Sequence, residues 1–173
     1  MKILVTYQSR TGFTKKYVQW IAEELDCTVI AFKDMTEKKM SEFDVVVFGS
    51  GLRAGLIGGL KKAKIMFEKS GVKNFIVFAT GATPYDAKSV IAEVWKNNLS
   101  PQEITTIPHF YMPGGICYEK MSLPDKLILK MAAKMLTKKM DSVDNGFNAA
   151  LNGSYDMSSR VHAQPLVQFL QEL

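Results

Sequence analysis

Short apolar runs alternate along the chain with longer stretches of mixed apolar and polar residues. The short runs are rich in β-branched residues and are bounded by polar or glycine positions, as buried strands are. They predict five strands, at residues 2–7, 28–32, 44–49, 73–79 and 104–110. The third strand contains four consecutive apolar residues, Val45-Val46-Val47-Phe48, which indicates that both of its faces are covered.

Between the predicted strands, apolar residues recur at every third or fourth position. The first such stretch predicts a helix of about 12 residues, with the apolar positions Phe13, Tyr17, Val18, Ile21, Ala22 and Leu25. Further helices are predicted at residues 60–70, 86–98 and 161–170, the first of them ending before Gly71. Strands that alternate with helices in this way predict an α/β protein with a parallel sheet and helices on both faces.

Residues 111–160 interrupt this alternation and form an insertion after the fifth predicted strand. Within them, residues 123–140 predict an amphipathic helix whose apolar face consists of Ile128, Leu129, Met131, Ala132, Met135, Leu136 and Met140. Lysines recur at every fourth position on its other face, at Lys126, Lys130, Lys134 and Lys138. The apolar face could pack on the core, or the lysines could meet an anionic surface. Residues 141–159 are rich in Asp, Asn, Ser and Gly and predict a loop.

The composition is that of an ordinary globular protein. The chain has 173 residues, 47% apolar and 23% charged, which favours one domain over residues 1–173 and excludes disordered and fibrous classes. Its apolar runs are shorter than the ~18 residues of a membrane span and its N-terminal run is shorter than a secretory signal, so we expect a cytosolic protein. The spacing of Cys27, Cys117, His109 and His162 predicts free thiols and no metal site.

The positive charge is concentrated in the insertion. The formal net charge is +5, from 22 basic and 17 acidic residues. Residues 114–141 contain six lysines and three acidic residues, so the net charge of this segment is +3, more than half of that of the whole chain. This segment could face an anionic ligand or a lipid surface.

The turn between the first strand and the first helix is the strongest candidate for a binding site. It reads Ser9-Arg10-Thr11-Gly12-Phe13-Thr14, and it combines hydroxyls and a glycine with the N-terminus of a helix. Free amides and the helix dipole make such a terminus suited to phosphate, although the same residues would also serve as a plain helix cap. The chain contains no GxxxxGK(S/T) motif, and residues 49–55 do not match GxGxxG.

The same six residues resemble the flavodoxin phosphate loop, (S/T)-x-T-G-x-T. The resemblance implies a flavodoxin-like three-layer sandwich, with a five-stranded parallel sheet in the order 2-1-3-4-5 and noncovalent FMN at the switch point of the strand order. It also implies that two further loops hold the isoalloxazine ring. These loops consist of Ser50, Gly51, Leu52, Arg53, Ala54, Gly55, Thr80, Gly81, Ala82, Thr83, Pro84 and Tyr85.

The chain departs from typical flavodoxins in these two loops and in its charge. Typical members place aromatic residues against both faces of the flavin, whereas the second loop here has none and the third has only Tyr85. Arg53 beside the ring would stabilise the reduced flavin and raise its potential. The glycines of both loops could also simply turn the chain. A sequence pI of about 9.1 contrasts with acidic electron-carrying flavodoxins and predicts different partners.

The chain is also similar to the flavodoxin-type (menaquinone-dependent) protoporphyrinogen oxidases. The similarity lies in Ser50-Gly51-Leu52-Arg53, in Gly114-Gly115-Ile116-Cys117-Tyr118 and in the basic helix after it. It implies an enzyme that oxidises an anionic tetrapyrrole, uses a quinone acceptor and contacts the inner face of the membrane through its lysines. The first hypothesis remains an FMN-binding redox protein with a protein or small-molecule partner and no nucleic acid, and the oxidase is the alternative.

Overall fold

A parallel sheet forms the centre of the fold in the computed structural model, which describes residues 1–139 and 153–173. Its parallel strands are β1 (Ile3–Gln8), β2 (Cys27–Ala31), β3 (Val45–Arg53), β5 (Asn74–Gly81) and β6 (His109–Pro113), and the short β4 (Leu56–Ile57) pairs antiparallel with β3. The parallel strands are arranged β2-β1-β3-β5-β6. When the five parallel strands are numbered 1 to 5 along the chain, leaving out β4, this order is 2-1-3-4-5. The predicted strand order is therefore confirmed.

Helices cover both faces of the sheet. They are α1 (Phe13–Glu24), α2 (Glu37–Met40), α3 (Leu60–Ser70), α4 (Lys88–Asn98), α5 (Pro101–Thr106), α6 (Leu123–Lys139) and α7 (Gln164–Gln171). Successive strand side chains point to opposite faces, so Leu4 and Val5 belong to different buried clusters. One cluster includes side chains of α3 and α4, and the other includes side chains of α1 and α7. The flavodoxin-like three-layer sandwich is confirmed.

The middle of the sheet is closely packed where β3 meets β5. Residues Val45 to Phe48 are fully buried, as their uninterrupted apolar run predicts. Gly49 follows them and lies opposite Phe78 of β5. A Cβ atom on Gly49 would lie 2.0 Å from the Phe78 ring, so only glycine fits beneath that ring.

The fifth predicted strand, at residues 104–110, is wrong over most of its length. Residues Pro101–Thr106 form α5, and the strand β6 begins only at His109. The helix is favoured because Ser100 and Glu103 form a capping box around its first turn and Pro101 occupies its first position. Two other helices begin later than predicted: α4 at Lys88, and α7 at Gln164 after a 3₁₀ turn.

The insertion forms a helix and a small hairpin. A helix is present where one was predicted, as α6, and its side chains beyond Met131, which include most of the predicted apolar face, lie outside the described residues. The hairpin pairs β7 (Gly115–Ile116) with β8 (Tyr155–Asp156), so the prediction of a loop through residue 159 is wrong at β8, and residues 140–152 lie outside the described residues. Among the described helices, none is both long and apolar enough to cross a membrane.

Candidate functional site

The first loop joins β1 to α1 and leaves the N-terminus of α1 open. Gly12 precedes the helix with φ +103°, a backbone conformation that favours glycine, and open space surrounds the position a Cβ would take. Gly12 is the N-cap residue and has no side chain, and the Lys15 amide of the first turn donates a hydrogen bond of 3.3 Å to Ser9 Oγ. Arg10 beside Ser9 is exposed, and the other amides at the start of the helix keep their capacity for an anion.

Three of the sequence-predicted loops meet at the carboxyl ends of their strands. Thr14 Oγ1 and Thr80 Oγ1 share a hydrogen bond of 2.8 Å, and both side chains are buried. Gly51 pairs with Thr80 in the sheet, and a Cβ atom on it would lie 3.7 Å from each of these hydroxyl oxygens. The structure therefore brings the first, second and third loops together, with the Thr14 hydroxyl beneath them.

The second loop, residues 50–55, continues β3 and forms the turn of a β-hairpin with β4. The strand β3 extends to Arg53, four residues past its predicted end, and Ala54 and Gly55 form the turn with φ angles of +49° and +79°. These angles are those of a two-residue type I′ turn. Asn98 of α4 fixes the turn, since its side chain accepts from the Ile57 amide at 2.7 Å and donates to the Gly55 carbonyl at 2.8 Å.

The third loop is fixed by two tyrosines outside it. Thr80 and Gly81 belong to the end of β5, and Leu52 of the second loop packs closely on Gly81. The Tyr111 hydroxyl accepts from the Thr83 amide and donates to the Thr83 carbonyl, both at 3.0 Å. The Tyr155 hydroxyl donates to the Ala82 carbonyl at 3.1 Å. The backbone of this loop is therefore held by β6 and by the insertion.

The exposed end of the third loop, Pro84 and Tyr85, points away from the first loop. Pro84 is exposed, and the Tyr85 ring lies against the His162 ring, with a centroid distance of 4.8 Å and an angle of 30° between the ring planes. Lys88 Nζ lies 3.6 Å from the centroid of the Tyr85 ring. Burial, followed by the charge of Lys88, lowers the pKa of His162, so this imidazole is neutral near pH 7. Tyr85 lines a cavity of about 150 Å³ together with Trp95, and this cavity lies away from the first loop.

A larger cavity of about 420 Å³ lies between the first loop and the β7–β8 hairpin. The loop and α1 contribute Thr11, Gly12, Phe13 and Lys16 to its wall, and the insertion contributes Ile116, Cys117, Ser154, Tyr155 and Asp156. An ion pair of 2.8 Å joins Lys16 to Asp156 across it. The sequence contains no local signal for this half of the wall, because it depends on where the insertion folds back.

The first turn of α6 joins the first and second loops through one carboxylate. Asp125 accepts hydrogen bonds from Arg10 Nη1 at 3.5 Å and from Arg53 Nε. The Ser122 hydroxyl donates to the same carboxylate at 2.6 Å. The hydrogen bond from Ser122 and then that from Arg53 hold the pKa of Asp125 below its usual range. We call this group of Asp125, Arg10 and Arg53 the Asp125 bridge. In the Asp125 bridge, the positive charge of Arg53 is paired with the negative charge of Asp125.

An open parallel sheet with its loops gathered at the reversal of strand order defines the class of α/β protein that binds ligands at that edge. The chain belongs to the flavodoxin domain family, whose model matches residues 4–143. No curated protein is significantly similar to it in sequence.

The chain is also similar to solved structures of this fold. It is 22% identical to a flavodoxin from the domain Archaea, over 72% of this chain and 88% of that one, with a TM-score of 0.42. It is 18% identical to oxidised Flavodoxin 2 from Bacillus cereus, over 65% and 84%, with a TM-score of 0.41. It is 14% identical to general stress protein 14 in complex with FMN from Treponema denticola, over 66% and 87%, with a TM-score of 0.41.

Proposed function

We propose that the protein binds FMN noncovalently and works as a redox protein through it. The observation that carries this proposal is the meeting of three loops at one sheet edge, beside a helix N-terminus whose N-cap residue, Gly12, has no side chain. Ligands of open parallel sheets bind at this edge, and phosphates bind at helix N-termini. Membership of the flavodoxin domain family supports the same conclusion.

The residues of the first loop fit a phosphate ester. Gly12 provides a left-handed turn with open space beside it, which lets an anion approach the backbone amides. Thr11 adds a hydroxyl on the wall of the larger cavity. The positive charges of Arg10 and Lys16 are paired with Asp125 and Asp156, so the amides and the Thr11 hydroxyl are the groups that this loop offers to an anion. The Thr14 hydroxyl is engaged with Thr80, so its role is to join the first loop to the third.

The second and third loops are suited to a flat ring because they present backbone groups and small side chains. The hairpin turn leaves Arg53 and Ala54 exposed, and the Tyr111 and Tyr155 hydroxyls fix the backbone of Ala82 and Thr83. When bound, FMN supplies the electron or hydride transfer, while the protein supplies binding, orientation and electrostatics.

The test is a titration of the purified apoprotein with FMN, followed by quenching of flavin fluorescence. We expect saturable quenching by the wild type, and at least about tenfold weaker binding when Thr11→Ala and Thr14→Ala are combined. Thr11→Ala removes a hydrogen bond to a charged group, which contributes ~1.5–3 kcal/mol, and Thr14→Ala removes the hydrogen bond that joins the first loop to the third. Thr105→Ala with Thr106→Ala is the matched control, since those hydroxyls bond to Gln102 within α5. A wild type that gives no quenching overturns the proposal.

A second candidate is the oxidation of protoporphyrinogen, or a similar anionic tetrapyrrole, with a quinone acceptor at a membrane surface. It is favoured by one feature of α6, whose side chains Leu123, Leu127 and Met131 are 81%, 60% and 59% exposed. Lys126 and Lys130 lie between them in the sequence, and an exposed face that is both apolar and basic suits an anionic lipid surface.

Mixing the FMN-loaded protein anaerobically with protoporphyrinogen tests this candidate directly. Loss of the oxidised flavin absorption band would support it. An unchanged band, in a sample that dithionite then bleaches, would exclude this substrate and leave the redox proposal intact.

A further inference from the structure

We propose that Asp125 is a positioning residue that fastens the insertion across the first and second loops and so limits the rate at which the cofactor enters and leaves. The inference rests on the proposed function, because it concerns access to the same site. It assigns a role to a residue of the insertion that touches the loops without belonging to them.

The Asp125 bridge engages both oxygens of one carboxylate. One oxygen accepts from Arg53, and the other accepts from Arg10 and from the Ser122 hydroxyl. The Asp125 side chain is only 16% exposed, whereas those of Arg10 and Arg53 are 62% and 49% exposed. The carboxylate therefore lies beneath two guanidinium groups that reach it from separate loops.

The bridge crosses the gap between the two loops. Arg10 follows β1, and Arg53 ends β3, which is the next strand in the sheet. A nucleotide with its phosphate at the first loop and its ring at the second would occupy this gap. A closed bridge would then have to open, or bend aside, before such a molecule could leave.

Besides the Asp125 bridge, the start of α6 contacts Tyr118, since Lys126 Nζ lies 4.6 Å from the centroid of that ring, but Tyr118 belongs to the insertion itself. The side chains of Leu123, Leu127, Ile128 and Met131 are exposed, so apolar burial contributes little over these two turns. Segments with few buried apolar contacts open at low free-energy cost. The ion pairs at Asp125 therefore account for a large share of what keeps the first turn of α6 in place.

The first measurement is the rate of FMN release from the loaded full-length protein, followed by recovery of flavin fluorescence after dilution. Asp125→Asn removes the carboxylate charge, and we expect release to become about fivefold faster, the effect of two partly exposed ion pairs. Glu93→Gln is the matched control, since it neutralises an exposed carboxylate paired with Lys96 on α4, and it should leave the rate unchanged.

The second measurement uses the apoprotein and needs no flavin. Hydrogen–deuterium exchange of the amides at residues 123–131 should rise in Asp125→Asn and stay at the wild-type level in Glu93→Gln. Faster release together with faster exchange supports the inference. Equal release rates for Asp125→Asn and wild type overturn it while FMN binding stands, and so does faster release with unchanged exchange. A wild type that binds no FMN overturns both this inference and the proposed function.

Discussion

The charge on Arg53 is not free to act on a neighbouring flavin ring, because Asp125 pairs with it. Asp125→Asn would leave Arg53 unpaired, and a positive charge near the ring stabilises the negative charge gained on reduction. We therefore expect Asp125→Asn to raise the midpoint potential of the bound flavin. Arg53→Ala removes a compensated charge and should lower the potential by a smaller amount. Spectroelectrochemical titration measures both, and a lower potential in Asp125→Asn would contradict the assignment.

Some residues of the candidate site are neighbours in the sequence, and others contact partners that are far away in the sequence. Only the first group could be predicted. The first loop could be predicted because hydroxyls, a glycine and a helix start are adjacent in the chain. The contacts of Tyr111, Asn98 and Asp125 with the loops span 28, 43 and 115 residues. Nothing in the local pattern indicates such pairs, since they depend on how distant elements pack. The predicted loops are therefore present in the structure, while the residues that fix them could not be predicted.

At the scale of a single element, β3 should tolerate no side chain at Gly49. A Cβ atom there would lie 2.0 Å from the Phe78 ring, which is fully buried and cannot move aside at low cost. Overpacking of this kind costs about 1–3 kcal/mol, so we expect Gly49→Ala to lower the free energy of unfolding by at least that amount. Urea denaturation measures the change. Gly153→Ala, where an added Cβ meets no atom of the described residues within 4 Å, should be close to neutral.

The capping of α5 predicts a pH-dependent contribution to stability. The side-chain hydrogen bond from Lys64 at 2.7 Å, and then that from the Ser100 amide, lower the pKa of Glu103. A carboxyl whose pKa is lower in the folded state stabilises the fold above its unfolded pKa, and this contribution is lost as the pH falls through the folded pKa. We expect Glu103→Gln to reduce stability by about 1 kcal/mol or less at pH 7 and by less still at pH 3. Urea denaturation at both values tests this, and an equal loss at both would contradict it.

Most elements could be predicted from local pattern, and the errors have local causes. Residues 104–107, Ile-Thr-Thr-Ile, are β-branched and favour a strand, yet Ser100-Pro101 and Glu103 start a helix that continues to Thr106. The sequence contained this signal, and the capping box outweighs the intrinsic preference of the run. The end of β3 was harder to predict, because the hairpin turn at Ala54-Gly55 lacks the usual Asn-Gly or Asp-Gly.

At the scale of the whole molecule, the insertion is what distinguishes this chain from a plain parallel sandwich. The sheet order could be predicted because strands and helices alternate and the phosphate-loop resemblance fixes the topology. The position of the insertion could not be predicted, since it follows from the contacts of Asp125 and Tyr155 with the three loops and of Asp156 with α1. Through these contacts a segment that reads as an addition becomes part of the wall of the candidate site.

The exposed face of α6 gives the insertion a second surface, and its interaction with lipid is testable. Each lysine near an anionic membrane contributes ~1 kcal/mol, so removal of two should weaken partitioning by about thirtyfold. We expect the wild type to co-sediment with phosphatidylserine-containing vesicles at low salt and to dissociate at high salt. Lys126→Gln with Lys130→Gln should abolish most of the binding, whereas Lys61→Gln with Lys62→Gln on α3 removes the same charge from another helix and should not.

The same vesicles distinguish the contribution of the apolar side chains from that of charge. Leu123→Ser with Leu127→Ser removes two exposed leucines and leaves the net charge unchanged. If α6 lies in the lipid interface, this variant loses binding even at low salt, because the burial of both leucines is lost. If binding persists unchanged, the lysines act at a distance and the helix does not enter the interface. If the wild type fails to bind vesicles at any salt concentration, α6 is not a membrane-binding surface. The feature that favours a quinone acceptor at the membrane is then lost as well.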